Sequence, residues 1–207
     1  MDWQAIIGQI VLATGKNVQF KSVQPVFGGD ISTAFYLHGQ GVSYFVKLNR
    51  VDLLAMFAAE FDSLQAIANT QTLRVPEPVV YGRTAEHAFL VLQYLELYRV
   101  NGRSEALFGQ QLARLHQQVQ PYFGWHQDNT IGTTAQINTP SHDWSHFWRE
   151  QRLQPQLKLA ENQGGTRKLL DKGARLCADM SALFSDYLPE STVKPRPKET
   201  GLYGAFW

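Results

Sequence analysis

The sequence predicts an α+β protein in which an antiparallel sheet with helices is followed by a helical C-terminal part. Two observations support this prediction. Between residues 18 and 94, short apolar and alternating segments are separated by glycine and proline, which is typical of strands joined by turns. After Leu95, apolar residues recur at every third or fourth position, which favours helices. We therefore predict an N-terminal lobe over residues 1–95 and a partial helical lobe over residues 96–188.

The N-terminal lobe is predicted to contain a helix, three strands, a second helix and two strands. Apolar positions at a spacing of three and four indicate a helix over residues 3–14. Glycine turns separate the next three strands, which lie at about residues 18–24, 34–37 and 42–48. A helix with Asp52 as its expected N-cap runs to about Asn69. Pro76 and Pro78 end the helical region, and strands are predicted over residues 79–82 and 88–94.

The segment after residue 95 predicts three helical regions. Ser104 is the expected cap of the first, and residues 120–141 are expected to be irregular. Asp143 is the expected cap of a short aromatic helix that is interrupted near Pro155, and a long helix is predicted over residues 166–187. The last segment, residues 189–207, lacks periodicity and is predicted to be an irregular tail.

Composition excludes several classes of function. The 207 residues include 19 basic and 18 acidic side chains, a formal net charge of +1, which argues against a nucleic-acid partner bound through a broad cationic face. A single cysteine, Cys177, excludes an internal disulfide and a cysteine-rich zinc site. No apolar run approaches the roughly 18 residues that a membrane span requires, and the N-terminus has no signal-peptide pattern. These features predict a soluble cytoplasmic protein with no membrane partner.

Lys47 and Glu60 are the first candidate functional residues. Lys47 ends a strand of β-branched and aromatic residues, where a lone lysine is often only a surface group with a buried stem. Glu60, however, lies on the apolar face of the next helix with Phe57 and Leu64, and a carboxylate there is costly without a cationic partner. The spacing therefore predicts a Lys47–Glu60 ion pair. Kinases use such a pair to hold the α- and β-phosphates of ATP.

Two further segments fit the same interpretation. Gly28, Gly29 and Asp30 lie in the loop between the first two strands, where glycines let backbone N–H groups approach an anion. A hairpin turn without a ligand would have the same sequence. The last strand of the lobe ends in a connector whose backbone is placed to hydrogen-bond an adenine base: Gln93, Tyr94, Leu95 and Glu96.

Several segments of the chain resemble the fructosamine kinase (ketosamine-3-kinase) family, a branch of the protein-kinase-like fold near the aminoglycoside phosphotransferases. The segments are Tyr44–Asn49, Ala59–Leu64, Thr70–Pro76, Phe89–Leu95 and Gly109–His116. The most specific ones are Phe123–Gly132, Asn138–Thr139 and the run from Asp143 to Leu157. The resemblance covers about residues 3–188, and it implies a two-lobe kinase-like fold.

The resemblance also implies an activity, which is transfer of the γ-phosphate of ATP to a sugar hydroxyl of a ketoamine formed by glycation, with Mg²⁺. Lys47 would hold phosphates, Glu60 would orient Lys47, and the connector would meet adenine. The loop Phe123–Gly132 would line the substrate side, with these residues as candidates: Trp125, Asp128, Asn129 and Thr130. The alternative is a purely structural loop that is packed by Phe123 and Trp125.

The chain departs from the family near its C-terminal end. The family motif His-Gly-Asp-Leu-Trp-x-x-Asn supplies the catalytic base and a Mg²⁺ ligand, and a later Asp-Pro-Ala segment supplies a second ligand. Neither occurs in the 207 residues. We therefore assign no catalytic or metal residue and expect little or no turnover.

Codons for Thr200–Gly204 allow His-Gly-Ala-Leu-Trp in the adjacent frame, so we interpret residues 189–207 as an out-of-frame tail of a truncated chain. A downstream frame encoding Asp-Pro-Ala would support this interpretation, and its absence would contradict it.

Two other functions stay open at this point. One is a non-catalytic nucleotide-binding remnant or pseudokinase, and the other is a phosphotransferase for aminoglycosides or choline-like alcohols, although Phe123–Gly132 favours the ketoamine branch. Without the partners that normally pack on it, the helix over residues 166–187 should expose part of its apolar stripe. An exposed apolar stripe implies self-association, instability or a partner.

Overall fold

The structure is a computed structural model that describes residues 1–17 and 19–185. The chain divides into two compact units, Met1–Ala113 and Arg114–Trp207. The division falls after Ala113, whereas the sequence prediction placed the change of lobe after residue 95. The predicted tail over residues 189–207, and residues 186–188 of the predicted helical lobe, lie outside the described residues.

Unit 1 is built on a five-stranded antiparallel sheet with the strand order β1-β2-β3-β5-β4. The strands are β1 (Phe20–Val26), β2 (Thr33–Gly39), β3 (Ser43–Arg50), β4 (Pro78–Arg83) and β5 (His87–Gln93). Helix α1 (Trp3–Thr14) precedes the sheet, α2 (Leu54–Thr70) connects β3 to β4, and α3 (Gly102–His116) follows β5. The predicted order of helix, three strands, helix and two strands is confirmed.

Both faces of the sheet are covered by helices. Helix α1 buries Ile6 and Ile10 on one face, and α2 buries Phe57 on the other. Because successive side chains of a strand point to opposite faces, β5 contributes to both cores. Its residues 88–92 are accordingly almost inaccessible to solvent. The same alternation in β3 decides which of its side chains meet α2.

Two of the predicted helix caps are wrong. Asp52 lies inside a short 3₁₀ turn, Val51–Leu53, and its carboxylate pairs with the guanidinium of Arg50 instead of capping α2. Ser104 lies inside α3, where the side chain of Asn101 accepts hydrogen bonds from the backbone N–H groups of Arg103 and Ser104. In the first case, Arg50 binds the carboxylate that was expected to cap the helix. In the second, Asn101 accepts the N–H hydrogen bonds at the helix start, the role that was expected of Ser104.

Unit 2 contains three helices and a small hairpin in its described part. The elements are β6 (Asn129–Ile131), β7 (Thr134–Gln136), α4 (Trp144–Trp148), α5 (Gln154–Asn162) and α6 (Arg167–Leu183). The segment predicted to be irregular therefore holds a two-stranded sheet, whose three-residue strands are too short to show alternation. Asp143 caps α4 as predicted, accepting a hydrogen bond from the His146 N–H. A π-helical turn over residues 149–153 replaces the predicted interruption, and Pro155 lies in the first turn of α5.

Helix α6 begins with Thr166 as its N-cap and buries Gly173, Cys177 and Met180. A neighbouring stripe of the helix carries leucines that are 43–60% exposed: Leu169, Leu176 and Leu183. The predicted exposure of apolar side chains on this helix is confirmed for its described residues. None of the helices in residues 1–17 and 19–185 has the length and apolarity needed to cross a membrane.

The packing of α6 on α5 gives a testable prediction about stability. A Cβ atom at Gly173 would overlap the side chain of Leu157, whereas a Cβ at Gly8 of α1 would meet nothing within 4 Å. We expect Gly173→Ala to lower the free energy of unfolding by about 1–3 kcal/mol through overpacking. The matched control Gly8→Ala should raise it by roughly 0.5–1 kcal/mol, because alanine favours helix.

Chemical denaturation followed by circular dichroism measures both changes. Equal effects of the two substitutions would contradict the close approach of α5 and α6 at Gly173.

Candidate functional site

Lys47 and Glu60 form a bidentate ion pair, as the sequence predicts. The Nζ atom of Lys47 donates to Oε1 of Glu60 at 2.8 Å and to Oε2 at 2.7 Å. In β3, Val46 and Leu48 are buried in the core that α1 covers, so Lys47 between them points to the α2 side. The two side chains are 26% and 31% exposed, so the ammonium is held in place and stays accessible to a ligand.

Helix α2 also places an aromatic ring beside this pair. The ring centroid of Phe57, which is fully buried, lies 6.0 Å from the Nζ atom of Lys47. A cation at this distance from an aromatic ring is weakly attracted to it. Removing either charge would leave the other half-buried without its partner, which is costlier than removing both.

The loop over residues 27–32 joins β1 to β2 and lines a cavity of about 240 Å³ together with the ends of the two strands. Gly28 has a φ of +120°, a conformation in which only glycine is unstrained. A Cβ on Gly29 would lie 3.2 Å from the carbonyl oxygen of Ser32. Asp30 is exposed at the tip of this loop. Both predicted glycines therefore occupy positions where a side chain would change the loop.

A larger cavity of about 1010 Å³ lies beside the connector. All four connector residues that the sequence predicts line this cavity: Gln93, Tyr94, Leu95 and Glu96. The backbone N–H of Gln93 donates to the carbonyl of Glu77 at 2.8 Å, which joins the start of the connector to the segment before β4. In the described part of the chain, the backbone groups of Leu95 and Glu96 make no backbone–backbone hydrogen bond. They are therefore available to a planar, hydrogen-bonding ligand.

Sequence reasoning missed the aromatic wall of this cavity. Tyr36 and Phe45 also line it, and the rings of Tyr36 and Tyr94 are 4.4 Å apart. Phe45 lies two residues before Lys47 and so on the same face of β3, and Tyr36 is its register partner in β2. The alternation in β3 identifies Phe45 from the sequence, whereas Tyr36 needs the strand register.

In unit 2, three of the four predicted substrate-side residues take part in a network around Asn138, which is 1% exposed. Its backbone N–H donates to Oδ1 of Asp128 at 2.8 Å, and its Nδ2 donates to Oδ1 of Asn129 at 3.0 Å. The Trp125 N–H donates to the Asn138 carbonyl at 3.1 Å. Thr130 is exposed in β6. These contacts are those of a structural loop, and a role in substrate binding stays a prediction.

Arg152 completes the network from the π-helical turn. Its Nη1 donates to the carbonyl of Ile137 and its Nη2 to Oδ1 of Asn138, both at 2.7 Å, and its guanidinium lies 4.6 Å from the ring centroid of Phe147. Burial lowers the pKa of Arg152 to about 10. Arg152 therefore remains a cation at neutral pH, and carbonyl oxygens and the face of the Phe147 ring contact its guanidinium.

The environment of Cys177 does not favour a reactive thiol. Cys177 is buried, and burial raises the pKa of its thiol, which keeps it protonated at neutral pH. Within residues 1–17 and 19–185, no three His, Cys, Asp or Glu side chains are grouped to hold a metal ion.

The sheet of unit 1, its glycine loop and its Lys47–Glu60 pair define the N-terminal part of a protein-kinase-like fold. The chain belongs to the fructosamine kinase family, because the sequence model of that family, described as "Fructosamine kinase", matches residues 2–207. The resemblance that the sequence segments indicated is thereby confirmed.

Similar proteins carry the names probable ketoamine kinase and protein-ribulosamine 3-kinase. A probable ketoamine kinase of Synechocystis sp. is 43% identical over 164 residues, which are 79% of this chain and 56% of that protein. A chloroplastic protein-ribulosamine 3-kinase of Arabidopsis thaliana is 35% identical over 204 residues, 97% of this chain and 60% of that protein. A probable ketoamine kinase of Escherichia coli K12 is 37% identical over 207 residues, 99% of this chain and 68% of that protein. The chain thus spans between half and about two thirds of the length of these relatives.

Solved structures support the same fold. A crystal structure from Haemophilus somnus 129PT, which carries a provisional fructosamine-3-kinase name, has a TM-score of 0.78 and 25% identity. The match covers 90% of this chain and 63% of that one. A second structure, from Thermobifida fusca, has a TM-score of 0.75 at 22% identity, which bears on the fold alone.

The Asn138 network gives a prediction about stability. We expect Asn138→Ala to lower the free energy of unfolding by about 2–4 kcal/mol, because the substitution removes hydrogen bonds and leaves the Arg152 cation less well paired. The control is Asn69→Ala, because the exposed Asn69 side chain accepts one bond, from Gln65. Asn69→Ala should change stability by less than about 0.5 kcal/mol.

Thermal and urea unfolding of the two variants check this expectation. A stability loss at Asn138 no larger than the loss at Asn69 would show that the network does not hold the loop together.

Proposed function

We propose that this protein acts in the ATP-dependent phosphorylation of the sugar moiety of ketoamines, the activity of its family, and that unit 1 binds the ATP. The observation that carries the proposal is the bidentate Lys47–Glu60 pair, which lies in a fructosamine kinase family sequence. The names of the relatives favour ketoamines over aminoglycosides or choline-like alcohols as acceptors.

Each part of unit 1 has a role in this proposal. Lys47 binds the α- and β-phosphates as a point charge, and Glu60 fixes the direction of its ammonium. The N–H groups around Gly28, Gly29 and Asp30 cover the phosphates, because a glycine-rich loop lets the backbone approach an anion closely. Adenine occupies the larger cavity against Tyr36 and Phe45 and hydrogen-bonds the backbone of Leu95 and Glu96.

Mg²⁺, which the resemblance implies, has no proposed ligand among the described residues. No group of three metal-ligating side chains occurs in them, and the family's metal-binding segments are absent from the sequence. We therefore assign no residue to Mg²⁺ and derive no step from it. Bound ATP carries phosphate oxygens of its own that take the metal from solution.

We further propose that the 207-residue chain has impaired catalysis. The family match runs to residue 207, which an out-of-frame tail would not be expected to produce. Residues 203–207, Tyr-Gly-Ala-Phe-Trp, keep the glycine and tryptophan of the motif His-Gly-Asp-Leu-Trp, with Ala205 at the place of the aspartate. We therefore favour an in-frame, altered motif over a frameshift. With alanine at this place, the motif lacks the carboxylate that serves as the base in the family.

The cytoplasmic location that the single cysteine predicts is part of the same proposal. An internal thiol that is buried and protonated is stable in a reducing compartment.

ATP binding by the pair is testable with single substitutions. We expect ATP to raise the melting temperature of the wild-type chain, and Lys47→Met to abolish most of that rise, because the phosphates lose their cation. Glu60→Gln should weaken ATP binding less, since the lysine remains but loses its orienting charge. Lys21→Met, which removes an exposed lysine of β1, is the matched control and should bind ATP like the wild type.

An assay with ATP, Mg²⁺ and a fructosamine tests the impairment separately. We expect phosphorylated product no higher than in the absence of protein. Clear turnover would contradict the impairment and leave the family function standing, whereas no ATP-induced stabilisation at millimolar nucleotide would argue against the whole proposal.

We also propose that the chain self-associates through the leucine stripe of α6, which consists of Leu169, Leu176 and Leu183. These residues are seven positions apart, so they lie on one side of the helix, and each is 43–60% exposed.

Light scattering after size-exclusion chromatography should give a mass above the monomer value of 23.4 kDa as concentration rises. Leu176→Ser should reduce this mass, and Leu12→Ser, which changes an 80% exposed leucine of α1, should not. A monomer at all concentrations would exclude this contact.

A further inference from the structure

We propose that Asn49 is a positioning residue that holds the glycine loop in register with Lys47, so that the loop and the lysine meet the same phosphates. The inference rests on the proposed nucleotide binding by unit 1. It goes beyond that binding because it says that a side chain outside the loop holds the loop in one conformation.

The position of Asn49 follows from the strand register. The last paired residues of β2 and β3 are Thr33 and Leu48, so Asn49 is the first β3 residue beyond the end of β2. It lies two residues after Lys47 and therefore on the same face of the strand. Its side chain is half-buried and reaches the C-terminal end of the loop over residues 27–32.

Both polar atoms of the Asn49 side-chain amide form hydrogen bonds. Nδ2 donates to the carbonyl oxygen of Ile31 at 2.8 Å and to Oγ of Ser32 at 3.1 Å. Oδ1 accepts from the backbone N–H of Arg50 at 2.8 Å. These three contacts fix the orientation of the amide, because exchanging its oxygen and nitrogen would place like groups against each other.

The loop has few other hydrogen bonds of its own. The described residues show no backbone–backbone hydrogen bond from residues 27–32 to the rest of the chain, and the sheet pairing of β1 and β2 stops at Val26 and Ala34. An unrestrained loop loses conformational entropy when it closes over an anion. Asn49 reduces that loss by ordering the loop before the ligand arrives.

The location of Asn49 predicts a selective effect on the phosphates. The loop cavity and the larger cavity beside the connector share only Val26 among their lining residues. A change at Asn49 should therefore weaken binding of a nucleotide through its phosphates and leave binding of the nucleoside unchanged. If the role of Asn49 were purely structural, its substitution would weaken the binding of both the nucleotide and the nucleoside, or of neither.

Isothermal titration of the full chain with ATP and with adenosine tests the inference. We expect Asn49→Leu, which keeps most of the volume but loses the donors, to weaken ATP binding about tenfold and to leave adenosine binding within twofold of wild type. Asn49→Asp should weaken ATP binding further, with a loss that shrinks at high salt, because its carboxylate repels the phosphates. The matched control Asn69→Leu, on the exposed side of α2, should bind both ligands like the wild type.

Melting temperatures of the variants separate binding from folding. If Asn49→Leu does not fold, Ser32→Ala decides, because it removes the bond to Oγ and keeps the one to the Ile31 carbonyl; a selective loss of ATP affinity is again expected. Equal binding of both ligands by wild type and variants, or a parallel loss of both ligands, would overturn the inference. A wild-type chain that binds no ATP would instead overturn the proposed function.

Discussion

The ion pair between Lys47 and Glu60 depends on the alternation of side chains along β3. Val46 and Leu48 are buried under α1, so the lysine between them must leave the sheet on the opposite side, where α2 presents its carboxylate. A slip of one residue would place the ammonium in the apolar core under α1 and turn two aliphatic side chains toward the carboxylate of Glu60. The same burial that stabilises the sheet therefore fixes the direction of the charge.

The candidate nucleotide site is arranged along one face of this strand. Phe45, Lys47 and Asn49 occupy successive positions on the face, and each meets a different part of the site. Phe45 lines the large cavity beside the connector, Lys47 pairs with Glu60, and Asn49 bonds the glycine loop. Residues at this spacing are about 6.5–7 Å apart along the strand. The strand therefore places the contacts to the adenine base, to the phosphates and to the glycine loop in that order. The adenine and phosphate roles belong to the proposed function, whereas the order along the strand is geometric.

Unit 2 uses polar side chains in a different way. Asn138 and Arg152 are buried, and their hydrogen bonds go to backbone carbonyls and to the loop residues Asp128 and Asn129. A buried network of this kind is stable only when its members are satisfied, so its residue types are determined by loop geometry and need no ligand to account for them. Asp128 and Asn129 were assigned to the substrate side by the family resemblance, and that assignment stays a prediction.

The sequence by itself determined the order of elements in unit 1, the Lys47–Glu60 pair and the family, because each rests on local periodicity or on a motif within one segment. The helix caps at Asp52 and Ser104 were wrong, since neighbouring Arg50 and Asn101 compete for the same groups and only side-chain reach decides between them. Tyr36 was not identified from the sequence, and Asn49 and Asn138 were noted only as parts of segments that resemble the family. Their contacts could not be predicted, because their partners are fixed by strand register or lie up to 18 residues away in the chain. Contacts of that range are set by the tertiary structure, which brings together groups that local pattern leaves independent.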